Sequence, residues 1–331
     1  MINIKSRKFL LISGLAVLSV ISVVYLLSVT KKSSPSPTSN IPIPKITSPV
    51  EREVVIKSEL KESDVSIPSS VPIYRLSSDP LSPTQIALVA ARLGFNTQPT
   101  VLTDANYGDV YFWYSSEMSL RIIPTDYLFD YGVNLDPLPA NSYPSDESLV
   151  DAARQFLEKN ILPADTSVQL SSLTFINPTT EGFETAPKDD SSLADIKFLE
   201  KVNNLTVVND TVEIGTINVR IARNLTVISV YADIVPSLDK QQDVPLKMFV
   251  NLVDSVSSAK LQSLNEGNVD IFTTPSSNIE KIVVNEASLA YYKVSSKQSN
   301  LLQPIFVLKG QAYLKNGQVV SALLHLPAAK E

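Results

Sequence analysis

The run from Phe9 to Val29 (FLLISGLAVLSVISVVYLLSV) contains no charged residue, and it constrains the chain more than any other feature. At a helical rise of ~1.5 Å per residue it reaches about 30 Å, the thickness of bilayer hydrocarbon. It is longer than the roughly 7–15 apolar residues of a signal peptide, and no A-x-A-like cleavage site precedes Lys31 and Lys32. The expectation is an uncleaved single-pass anchor. The short basic tail, residues 1–8 with Lys5, Arg7 and Lys8, is expected in the cytoplasm, which places the remainder on the extracytoplasmic side of the plasma membrane.

Residues 1–32 hold five of the 28 basic residues and none of the 34 acidic ones, so the remainder carries a net charge of −11. An acidic body is repelled by nucleic acid and by anionic lipid, so no nucleic-acid partner is expected, and contact with the membrane is expected only through Phe9 to Val29. The absence of cysteine excludes a disulfide scaffold, thiolate catalysis and thiolate zinc sites. One histidine, His325, leaves no two-histidine metal site. The scattered glycines form neither G-x-G-x-x-G nor G-x-x-x-x-G-K-[ST], so the common phosphate cradles are missing. No cofactor and no metal is therefore expected. A translocated body without cysteine suits a bacterial-type envelope, and the sequons at Asn204, Asn209 and Asn224 read as incidental.

The composition then divides the chain. Residues 30–72, with prolines at 35, 37, 42, 44, 49, 68 and 72 among serines and threonines, read as an extended linker. Ser82, Pro83 and Gly94 punctuate a helix, followed by strand-like runs at 110–115, 119–123 and 127–133, which make a first unit over 73–141. Residues 142–328 form a second region of two further cycles. One opens with a helix from Ser145 to Asn160 and continues in strands at 168–176, 196–202, 216–222 and 225–235, with a loop insertion over 177–193. The other opens with a helix over 245–261 and continues in strands at 279–294, 304–314 and 318–326, the last two joined at Asn316-Gly317. The expected class is α+β, an N-terminal transmembrane helix followed by repeated units of one helix on an antiparallel β-meander.

The segment Leu289-Ala290-Tyr291-Tyr292-Lys293, a polar gap, Leu301-Leu302-Gln303-Pro304-Ile305-Phe306-Val307, Gly310 and a final hairpin ending in Leu326-Pro327-Ala328 resembles the C-terminal part of YycH/YycI-type proteins. These are membrane-anchored extracytoplasmic regulators of a cell-wall histidine kinase, whose helix-plus-meander units are similar to PepSY-type domains. The resemblance implies a regulatory, non-catalytic module whose partner is an envelope or membrane protein, a sensor kinase among the candidates. It covers about 40 residues in wording and carries no catalytic motif, and the Pro-rich stalk departs from it.

Aromatic residues crowd into 107–131, and Tyr111, Trp113, Tyr114, Tyr127 and Tyr131 are the candidate binding platform. Strand alternation puts Tyr111 and Trp113 on one face, and Phe112 and Tyr114 on the other. One face lies against the helix, and the other is either covered by the second unit or left open to a partner. Asp126 and Asp130 share a face and form the only carboxylate pair worth weighing for acid–base chemistry, and solvated surface acids are the simpler reading. Asp104 to Asp109 opens like a calcium loop, but its glycine and its twelfth residue are wrong, which leaves a loose turn. Ser257 with Lys260, and Ser58 with Lys61, match S-x-x-K without the S-D-N and K-T-G that accompany it in penicillin-binding proteins. His325 reads as an edge or solvent-facing residue. The leading expectation is a non-enzymatic, membrane-anchored binding or regulatory module. The alternatives are an envelope hydrolase acting on glycan or peptide, and a structural spacer.

Overall fold

The computed structural model describes residues 43–44, 46, 54–134, 142–180, 182–209, 216–265, 278–294 and 300–330. The expected anchor, Phe9 to Val29, lies outside the described residues. Among the described residues no helix is long and apolar enough to cross a membrane.

Helix α1 (Pro83–Arg92) begins where the side chain of Ser82 accepts from the backbone of Gln85 while the Gln85 side chain accepts from the backbone of Ser82, with Pro83 in the first turn. This reciprocal cap satisfies two amides that would otherwise lack partners. Gly94, at φ +93°, ends the segment in a conformation that other residues reach only with strain. The meander β3 (Thr100–Asp104), β4 (Gly108–Tyr114), β5 (Met118–Ile123) and β6 (Leu128–Val133) follows. Helix α2 (Asp146–Asn160), capped by Ser145, leads into β7 (Ser167–Thr179), β8 (Gly182–Thr185), β9 (Leu193–Val202), β11 (Ile217–Ala222) and β12 (Val227–Asp233), with β10 (Leu205–Asn209) turning away after β9.

The two meanders do not stay separate. β6 pairs antiparallel with β12, Tyr131 opposite Val230, so the ladder runs β3-β4-β5-β6-β12-β11-β9-β7-β8. Both helices lie on one face of it. Ile86, Val89, Ala90 and Leu93 of α1 and Leu149, Ala153 and Leu157 of α2 share a core with Trp113, Ile122, Phe129, Phe198, Ile217 and Ala232. Pairing the last strands buries two edges that would otherwise remain open.

The C-terminal strands β15 (Ile279–Lys293), β16 (Leu301–Leu314) and β17 (Val319–Pro327) form an antiparallel meander, extended by β14 (Lys260–Asn265) beyond β17. The other edge of β15 takes two parallel strands in tandem, β1 (Ile56–Ser58) and β10. A ribbon of β2 (Ser70–Leu76) and β13 (Leu238–Pro245) joins the start of β16. Pro44–Glu331 thus gathers into one unit.

Three expectations are corrected here. The α+β class is wrong: 53% of the described residues are strand and 17% helix, and the seventeen strands link into one large sheet rather than repeated helix-on-meander units. The third helix is the physical reason for part of this. α3 is only Phe249–Ser255, because Pro245 to Lys247 are already pairing with the C-terminal segment through Lys330 N to Pro245 O, the Leu246–Ala329 bridge and Lys247 N to Ala328 O. The expected linker also ends too late. Its described part carries β1, whose neighbours Val55 and Glu59 bond to Ile282 and Val284, and the start of β2. Finally, of the turn pair Asn316-Gly317 only Gly317 takes positive φ. Asn316 instead accepts the Gln318 amide with its side chain.

Candidate binding groove and a buried charge network

Four of the five candidate aromatic residues share the core beneath the helices, Trp113 and Tyr131 buried in it and Tyr111 and Tyr127 packed against it, and Tyr114 stands apart. Trp113 is 4% exposed, its indole N–H donates to Thr97 O at 2.9 Å, and Tyr111 stacks on it at 6.4 Å. Both face the helices. Tyr114 points the other way and is 87% exposed on the outer face of the sheet. Tyr127 holds the β5–β6 turn at φ +54° with its hydroxyl on Asp79 O, and burial with the neighbouring Asp79 carboxylate raises its phenol pKa. Tyr131 lines a cavity. Alternation along β4 sends Tyr114 to the face opposite Tyr111 and Trp113.

That cavity, about 430 Å³, lies between the C-terminal halves of α1 and α2. It falls within the ~300–1,000 Å³ of small-molecule and peptide sites. The ring of Tyr131 on β6 packs on Phe156 of α2, with centroids 5.7 Å apart, and Leu93 and Ala152 complete the apolar lining. Arg92 from the last turn of α1 and Lys159 from the last turn of α2 are both exposed and contribute to the lining, as do Gln155 and Asn160. Neither cation has an ion-pair partner among the described residues. By contrast Arg121, Arg154, Lys188, Arg220, Lys240 and Lys293 are each paired with an aspartate. Burial raises the Tyr131 phenol pKa, so the hydroxyl stays protonated, and it makes no hydrogen bond to the described protein.

The carboxylates weighed for catalysis do not assemble. Asp130 on β6 pairs with Arg121 on β5 at 2.8 Å, while Asp126 sits in the turn whose amide bonds to Ile123 O. Ser257 and Lys260 are both exposed near the start of β14. Asp104 Oδ1 accepts from the amides of Asn106 and Tyr107, a turn cap and not a calcium loop.

Two buried polar features were not expected. Lys293 of β15 donates to Asp233 Oδ1 of β12 and to Ile234 O at 2.9 Å, and Asn209 of β10 reaches Asp233 Oδ2 at 3.4 Å. Glu200 of β9 accepts from Val235 N at 2.8 Å nearby. Burial pushes the Glu200 carboxyl up to about 7, opposed by Lys293 and by the Val235 amide and reinforced by Asp233. Asn209, a sequon by sequence, is 6% exposed. His325 corrects the edge reading. It is 3% exposed, edge-on to Tyr292 at 5.8 Å, with neither ring nitrogen bonded to the described protein, and burial pushes it down to about 4. Charged residues inside strands look like solvent-facing ones in a sequence, and only their register reveals that they meet.

No family model matches the chain, and no curated protein matches it.

Proposed function

We propose that this chain is a single-pass, membrane-anchored extracytoplasmic module of the cell envelope that binds and regulates a partner protein without catalysing a reaction. The observation that carries the reading is the α1–α2 groove, in which Tyr131, Phe156 and Leu93 lie with two cations that have no ion-pair partner among the described residues, in a body that is otherwise strongly acidic. An aromatic floor offers burial and the charged rim offers orientation, the division of labour seen in protein-recognition sites. The charge-free run Phe9 to Val29 supplies the anchor, and the likeness of the Leu289 to Ala328 region to extracytoplasmic kinase regulators makes a sensor kinase the first partner to try.

The pairing of Asp130 with Arg121, on the opposite face of the sheet from the groove, favours this reading over the hydrolase alternative. The test is mild crosslinking of the full chain in its own membrane followed by purification. A stoichiometric envelope protein is expected with the native chain, and its loss is expected with Gln155→Trp, which fills the groove from an exposed helical position. Recovery of no such partner, or equal recovery with both chains, contradicts the proposal.

A further inference from the structure

We infer that the α1–α2 groove recognises an acidic peptide segment, placing carboxylates on Arg92 and Lys159 and an adjacent apolar side chain on Tyr131 and Phe156. This rests on the reading of the groove as the binding site and adds the chemistry of what enters it. The polar residues of the lining are Arg92, Lys159, Gln155, Asn160 and Tyr131, and not one of them is a carboxylate. In a body of net charge −11 a concave site lined this way stands out electrostatically, and a cleft focuses the field of the charges at its rim.

The two cations come from different helices, which are joined through the β6–β12 pairing beneath them. Each also sits in a helix's last turn, where a cation offsets the negative end of the helix dipole. That role needs no third group between them. The groove supplies one, a largely buried phenol whose hydroxyl has no acceptor among the described residues. A carboxylate suits these donors, since the guanidinium of Arg92 can engage it through two parallel N–H bonds. A basic segment is repelled by the two cations, and a neutral carbonyl accepts from them without the strength that charge assistance adds. The apolar floor demands that the carboxylate be followed by a hydrophobic residue, whose burial supplies the affinity that exposed ion pairs do not.

The probe is a fluorescein-labelled hexapeptide, Gly-Glu-Phe-Glu-Leu-Gly, titrated with the full chain in detergent micelles and read by anisotropy. Replacing both glutamates by glutamine is expected to weaken binding about tenfold at low salt, and Arg92→Gln or Lys159→Gln to weaken the acidic peptide alone about three- to fivefold each. Tyr131→Phe, which removes only the hydroxyl, is expected to act in the same direction. Circular dichroism of each variant keeps misfolding separate from lost recognition. Equal affinity for the acidic and amide peptides, or no binding of either, overturns the inference. If the Gln155→Trp-sensitive capture of an envelope protein persists in that case, only the ligand class fails; if the capture is also absent, the groove itself is not the site.

Discussion

Lys293 and Asp233, sixty residues apart in sequence, form a buried ion pair that fastens β15 to the end of β12. It lies where the nine-stranded array carrying both helices meets the C-terminal strands, beside the β10 strand that pairs with both β9 and β15, and Asn209 and the Ile234 carbonyl complete its hydrogen bonds. Removing one partner strands the other charge in a dry site. Asp233→Leu or Lys293→Met alone is expected to cost about 3–5 kcal/mol, and the two together less than either alone. Urea unfolding of the three variants measures this, and simple additivity of the single losses contradicts it.

Glu200 and His325 give opposite pH dependences. The Glu200 carboxyl is raised from 4.5 to about 7, so its contribution to stability is complete below pH 4.5 and is lost as pH rises through 7. The His325 imidazole is lowered from 6.5 to about 4, so its contribution is complete above pH 6.5 and is lost as pH falls through 4. Each is on the order of 3 kcal/mol, and between pH 4.5 and 6.5 the two slopes cancel. Glu200→Gln is expected to leave a chain that gains stability as pH rises through that window, and His325→Gln one that loses it. Melting temperatures across the window decide this, and parallel profiles for the two variants contradict it.

Gly310 sits on β16 opposite the irregular register of β15 at Val284, and a Cβ there would lie 2.2 Å from the carbonyl oxygen of Val283. Neither backbone can give way without breaking ladder bonds. Gly310→Ala is expected to cost about 1–3 kcal/mol, whereas an ordinary strand position gains from the same change. Thermal unfolding measures the cost, and an unchanged or raised midpoint contradicts the close approach.

Trp113 is the only tryptophan, so intrinsic fluorescence reports on one place. Its emission is expected to be that of a buried indole, shielded from iodide, and to stay unchanged when the acidic peptide fills the groove, because Trp113 does not line it. Iodide quenching comparable to that of free tryptophan contradicts the burial.

Local signals carried much of the secondary structure. Ser82-Pro83 and Ser145 marked both long helices because caps act within a single turn, and alternation located β15, β16 and β17 to within a few residues. What failed was non-local. β1 is three residues whose partners lie more than two hundred positions away, so the surrounding prolines and serines dominated its reading. The join of β6 to β12 has no local signature, and without it two meanders look like two α+β units. The groove shared this fate. Tyr131 is conspicuous as an aromatic residue, but Lys159 reads in the sequence only as a helix-dipole cation and Arg92 carries no signal at all, since a cation in a last helical turn is ordinary until a second helix contributes another to the same groove.

The most direct test of the groove as the binding site is a photo-reactive residue placed at Gln155 and, in a second chain, at Tyr114, with the full chain in its native membrane. Gln155 lines the groove, and Tyr114 is highly exposed on the opposite face of the same sheet. A discrete adduct with one envelope protein at Gln155 and none at Tyr114 is the predicted result. An adduct at Tyr114 alone, or none at either position, would contradict the account.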